Sequence, residues 1–159
     1  MRIKIIAVGN LKEKFLKEAA TEYHKRLTRY GKVEIVEVVE ERLPENASDK
    51  EIQACLAREE DKILKHISEG EYVVQLAIDG HLVSSEELAL RISDLMVTGT
   101  AGITFVIGSS HGLGLGIERR SNFSLSLSKM TFPHQLTRII LMEQVYRSFK
   151  IINNEPYHK

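Results

Sequence analysis

Two rhythms alternate along the chain. Apolar runs cover residues 3–8, 33–39, 72–78 and 103–107, and between them apolar residues return every three or four positions. The runs predict strands, and the longer period predicts helices. The helical period reads Leu16, Ala20, Tyr23, Leu27, Tyr30 in one stretch and Leu88, Ile92, Leu95, Met96 in another. Helix starts are marked by a polar residue with a glutamate three positions on: Asn10 with Glu13, predicting a helix over 11–29, Ser48 with Glu51, and Ser84 with Glu87. In each, a side-chain oxygen would meet an otherwise unpaired backbone N–H. Asp79-Gly80 predicts a turn ending the third strand.

One stretch joins both rhythms. In "SLSLSKMTFPHQLTRIILMEQVYR", Leu125 and Leu127, with Phe123 before them, alternate with Ser124, Ser126 and Ser128. Period two predicts a half-buried strand. A polar corner follows, and Pro133 starts a helix on which Leu136, Ile139, Ile140, Met142, Val145, Phe149 and Ile152 cover most of the surface. Such a helix is buried or shared with a second subunit. The order is strand, helix, strand, helix, strand, helix, strand, Gly-rich loop, strand, helix. It predicts an α/β domain whose mostly parallel sheet has about five strands. The nearly continuous apolar runs at 72–78 and 103–107 suit central strands. Ligands in such sheets sit at the carboxyl ends of strands. The candidate site therefore lies after Ile78, after Ile107 and after Ser128.

A chain of 159 residues suffices for one domain over 1–159 with its own core. No apolar run approaches the ~20 residues of a membrane helix, and "MRIKIIAVGN" lacks the longer apolar region of a signal peptide. The single cysteine, Cys55, can form no internal disulfide and no spacing resembles a zinc site, so a reducing cytoplasm and no metal are expected. Cys55 is expected to be a small packed residue on a helix. The 22 basic and 22 acidic residues are unevenly spread. Acids crowd residues 34–61, while Arg119, Arg120, Lys129, Arg138, Arg147, Lys150 and Lys159 face only Glu143 and Glu155 in the last part. A basic half points to an anionic partner.

The glycines of "FVIGSSHGLGLG" let backbone N–H groups approach a ligand. The loop does not match the dinucleotide fingerprint and comes too late in the chain for it. Gly108-Ser109-Ser110-His111-Gly112 does match the nucleophile elbow of hydrolases, with Ser110 as nucleophile, His134 or His158 as base and Glu118 as acid. That elbow should run into a long helix, which "LGLGIERRSNF" cannot supply.

Taken together, "FVIGSSHGL", the serine–leucine stretch through Arg147 and the final "PYHK" resemble the SPOUT-class methyltransferases that act on N3 of a pseudouridine in 23S ribosomal RNA. One departure stands out: where that family usually reads Ile-Gly-Gly, this chain reads Ile107-Gly108-Ser109. The resemblance implies a C-terminal trefoil knot, a rare exception to unknotted connection rules. It implies a homodimer, the ribosome as partner, and S-adenosylmethionine held by Leu76, Gly108, Leu127, Ser128, Lys129, Met130, Thr131 and Phe132. It also implies catalytic roles for His158, Tyr157 and Arg138, and substrate contacts from Arg147, His134 and Lys159. Histidine titrates near neutrality, which suits His158 to proton removal. Arginine suits an anion or phosphate, and Tyr157 suits stacking on a base. Two other readings compete: a serine hydrolase using Ser110, and a ribosome-binding protein without catalysis.

Overall fold

The structure, a computed structural model, describes residues 1–157. Its elements are β1 (Arg2–Val8), α1 (Lys14–Leu27), β2 (Lys32–Val38), α2 (Asp49–Leu64), β3 (Tyr72–Leu82), α3 (Ser85–Val97), β4 (Gly102–Ile107), α4 (Leu115–Arg120), β5 (Phe123–Ser126) and α5 (His134–Ile152). All five strands join one parallel sheet in the order β2-β1-β4-β3-β5. The register sets Ile5 between Ile35 and Phe105.

Helices cover both faces, as the sequence predicts. On one face α5 lies between α1 and α3. There Leu141, Met142, Val145 and Phe149 meet Ile5, Ile103, Phe105 and Leu125 in a single apolar cluster. On the other, Ile63 of α2 and Ile117 of α4 pack on Ile6, Val73 and Val106. The apolar surround of α5 is thus mostly consumed within the protomer. Leu136 remains 38% exposed on its outer side.

Ser48 and Ser84 each form a full capping box, worth about 1 kcal/mol apiece. The Asn10–Glu13 box does not form. Helix α1 begins at Lys14, with Glu13 at its N-cap and no side-chain bond there. The preceding segment is held elsewhere: Leu11 is buried in the core, and the Lys12 N–H donates to Gln135 of α5. Asp79-Gly80 does not end β3 either. The strand runs on to Leu82 because β5 pairs with it twice, the register shifting between Leu76 and His81. The Gly-rich loop contains the short α4, which the sequence pattern did not reveal.

The serines of β5 are not a solvent-facing stripe. Ser126 is as buried as Leu125. The Gln75 side-chain amide donates to Ser124 Oγ at 2.6 Å. Ser126 Oγ donates to the Ser128 carbonyl at 3.1 Å, and Ser128 Oγ accepts the Met130 N–H at 3.0 Å. These bonds pin the strand exit, where the chain must leave the sheet and cross to α5. Cys55 is buried on α2, as its sequence context suggests.

Candidate active site

A cleft of about 1100 Å³ opens over the carboxyl ends of β3, β4 and β5. Its walls are residues 75–81, 107–113, 124–128 and 130–134, with Glu118 and Thr137. The three separate strand exits singled out in the sequence are therefore one site. Leu76, Gly108, Leu127, Ser128, Met130, Thr131 and Phe132 all line it. Lys129 is exposed and not part of the wall, although both its neighbours are.

The Gly108 loop is tight. A Cβ on Gly108 would stand 2.3 Å from the Gly112 carbonyl oxygen, so only glycine fits. Gly112 itself has φ +88°, the left-handed region. Its N–H donates to the Ser109 carbonyl at 2.9 Å, closing the turn. Ser109 shows no positive φ, so a serine is accommodated without strain where the resembling family usually has glycine. Its hydroxyl donates to Glu59 of α2 at 3.2 Å. The adjacent Glu60 accepts the Gly116 N–H at 2.7 Å, at the start of α4. Sequence reading missed both glutamates as part of an acidic run. The available signal was spacing: Glu59 sits midway between the buried Cys55 and Ile63, each four residues away.

The remaining predicted residues divide. His134 lines the cleft from the first turn of α5. Arg138, one turn on, is 2% exposed and turned inward. It donates to the Gly9 carbonyl at 2.8 Å and to Glu37 at 3.1 Å, tying α5 to the ends of β1 and β2. Burial pulls its guanidinium below its ordinary pKa, and Glu37 opposes that. Arg147 and Tyr157 meet away from the cleft, at Glu143. Arg147 donates to Glu143 Oε1 at 2.7 Å, the Tyr157 hydroxyl donates to the same oxygen at 3.2 Å, and the guanidinium lies 4.7 Å over the Tyr157 ring. His158 and Lys159 lie outside the described residues.

Burial, then the Glu143 charge, push the Tyr157 hydroxyl up to about 12. It is therefore a neutral donor at physiological pH and not a base. In an absorbance titration, Tyr157→Phe is expected to remove one late-ionising tyrosine, titrating well above the ordinary value of ~10. An unchanged late amplitude would place Tyr157 in solvent instead.

Ser110 is poorly set as a nucleophile. Its hydroxyl is exposed and 3.4 Å from Nδ1 of the adjacent His111. Among the described residues no carboxylate is hydrogen-bonded to His111 or His134 to complete a triad. Nor does any group of three His, Cys, Asp or Glu stand where it could hold a metal ion. Among the described residues no helix is long and apolar enough to cross a membrane.

An all-parallel sheet with a roomy cleft over its strand ends defines an α/β domain built to hold a small organic ligand. A family model described as "Predicted SPOUT methyltransferase" matches residues 1–158. Ribosomal RNA large subunit methyltransferase H of Acetivibrio thermocellus is 54% identical over 159 residues, all of both chains. The protein of the same name in Clostridium novyi is 53% identical, again over all of both chains. In fold, the chain is similar to a probable methylase family protein from Haemophilus influenzae, with TM-score 0.55 at 15% identity, covering 99% of this chain and 70% of that one. The chain belongs to the SPOUT methyltransferase family, and it is a methyltransferase.

Proposed function

We propose that the cleft holds S-adenosylmethionine and that the protein methylates N3 of a pseudouridine in 23S ribosomal RNA on the ribosome, in the cytoplasm. The observation that carries this reading is the convergence of β3, β4 and β5 on one cleft, lined by seven of the eight residues assigned to the cofactor by resemblance. Relatives of equal length named as large-subunit ribosomal RNA methyltransferases support the substrate.

The residues present fit such a donor. Leu76, Ile107, Leu127 and Phe132 offer apolar walls, and the Gly108 turn offers backbone at close range. The bound donor would supply an electrophilic methyl group on a sulfonium, so the acceptor nitrogen needs only correct placement and loss of its proton. The protein's part is to hold the acceptor nitrogen in line with that methyl group and to take its N3–H proton onto a base, while the donor would leave as a neutral thioether. His158 is assigned as that base, and His134 binds the acceptor nucleotide at the cleft wall. Arg138 acts from the interior by fixing the first turns of α5, on which His134 stands. Lys129, exposed at the rim, and Arg147 with Lys159 are assigned to phosphate.

The reading includes a homodimer. Helix α5 spans roughly 27 Å, and Tyr157 is held at Glu143, halfway along it and off the wall of its own cleft. A partner's cleft is then the natural target for the residues that follow. Exposed Ile78, Met130 and Leu136 offer apolar surface near the cleft mouth for a second copy. Leu127, Ser128 and residues 130–133 line the same cleft as the ends of β3 and β4, and the family's knot would close there.

Calorimetric titration with S-adenosylmethionine tests the cofactor. Methyl transfer to ribosomes lacking the modification, against free RNA and against uridine-containing controls, tests the acceptor. Micromolar binding with transfer to pseudouridine N3 is expected. Binding without transfer to any ribosomal RNA would sink the substrate assignment, and a monomer by light scattering would sink the dimer.

A further inference from the structure

Beneath the Gly108 turn lies a buried carboxyl group that methyl transfer does not use. Glu59 is 2% exposed. Its Oε1 accepts from Ser109 Oγ at 3.2 Å and from Cys55 Sγ at 3.4 Å. Its Oε2 is buried with no hydrogen-bond partner. No lysine or arginine among the described residues bonds to it. The neighbouring cations Arg58 and Lys62 are both engaged with Glu41. Yet the one oxygen that is bonded is tied to the wall of the cleft through the Ser109 hydroxyl.

We propose that Glu59 is a positioning residue for the methyl donor: as a neutral acid it bonds Ser109 and holds residues 108–112 in the shape that lines the cleft. This rests on the cleft being the S-adenosylmethionine site. An unpaired buried carboxylate is costly, so the uncharged form is the one that fits here. Burial pushes the Glu59 carboxyl up from its ordinary value. The bonds from Cys55 and Ser109 oppose that, while the negative charges of Glu40 and Glu41, from the segment after β2, add to it. Ionisation leaves charge on an Oε2 that no donor among the described residues reaches. The carboxylate then turns toward water and releases Ser109. Next to it, the bond from Gly116 to Glu60 fixes the far end of the same loop, so any slack is confined to the Gly108 turn.

The wall is therefore intact below the folded-state pKa of Glu59 and loosens as pH rises through it. The test is S-adenosylmethionine affinity as a function of pH for the wild type, Glu59→Gln, Ser109→Ala and the double variant. His81, His111 and His134 also line the cleft. They act alike in wild type and Glu59→Gln, so the difference between these two isolates Glu59. Glutamine mimics the neutral acid. It is expected to match the wild type at the acid end of the profile and to exceed it by at least roughly threefold once Glu59 has ionised. Ser109→Ala is expected to weaken binding at the acid end of the profile about fivefold, the scale of one lost hydrogen bond, and to abolish the effect of Glu59→Gln. Parallel pH profiles for wild type and Glu59→Gln, or full affinity in Ser109→Ala, would overturn the proposal. A wild type that binds no S-adenosylmethionine would instead overturn the cofactor reading on which it stands.

Discussion

Gly108→Ala is expected to cost roughly tenfold to a hundredfold in S-adenosylmethionine affinity while leaving the far-ultraviolet circular dichroism unchanged. The added Cβ would lie 2.3 Å from the Gly112 carbonyl oxygen, 2.7 Å from its carbon and 3.0 Å from Leu113 Cγ. Two of these are backbone atoms, which cannot swing aside as a side-chain end can. Relief requires opening the turn, and such overpacking costs about 1–3 kcal/mol. The turn is the β4 wall of the cleft, so the cost falls on ligand binding. Gly112→Ala is the instructive contrast. It meets nothing within 4 Å, and only its positive φ opposes a side chain, a penalty of about 1–2 kcal/mol. Calorimetric titration of both variants checks the ranking. Wild-type affinity in Gly108→Ala would show that the ligand does not depend on this turn.

The second large effect is expected at the opposite end of the sheet. Glu71 is 3% exposed and binds four groups: Arg2, Lys4 Nζ at 3.0 Å, Thr104 Oγ1 at 2.8 Å and the Ser68 N–H at 3.1 Å. Lys4 is itself 5% exposed in the middle of β1. Glu71→Ala strands that ammonium, and removing one partner of a buried pair costs about 3–5 kcal/mol. Removing both charges, as in Lys4→Met with Glu71→Leu, is expected to be far milder than the single change. Urea unfolding of the two variants is the measurement, and equal losses would contradict the buried-pair account. The pH dependence has a definite sign. Burial pulls the Glu71 carboxyl upward, but the bonds from Lys4, Thr104 and Ser68 outweigh it, so the folded-state pKa lies below the ordinary 4.5. The contribution is thus complete above 4.5 and is lost as pH falls through the folded-state value. Glu71→Gln should lack that acid-side loss.

Much of this molecule is legible in its sequence, for physical reasons that vary by element. The strands announce themselves because both faces of a covered parallel sheet are apolar. Ser48 and Ser84 mark helix starts because their caps are local, closed within three residues. Asn10 misleads because its segment answers to a distant partner, Gln135 on α5. Asp79-Gly80 misleads for the same kind of reason: pairing with β5 overrides a local turn preference. The strand exits could be named as site walls, since open parallel sheets bind there. What the sequence hid is how side chains are spent. Arg138 is consumed by Gly9 and Glu37, and Glu59 is drawn under the cleft. Each of those links joins residues at least fifty positions apart in sequence.

The position of α5 has a consequence for how the protein comes into being. The apolar face it covers, with Ile5, Ile103, Phe105 and Leu125, is built from strands made earlier in the chain. While the polypeptide is being synthesised, that face stays bare, because the helix that closes it follows every strand. A nascent chain that has reached residue 132 has nothing with which to cover that face, because α5 begins at His134. Folding must therefore be completed after most of the chain has been made, by contacts between its two ends, and such long-range closure is slow. An enzyme of ribosomal RNA would thus acquire its own shape only as it leaves the ribosome that made it.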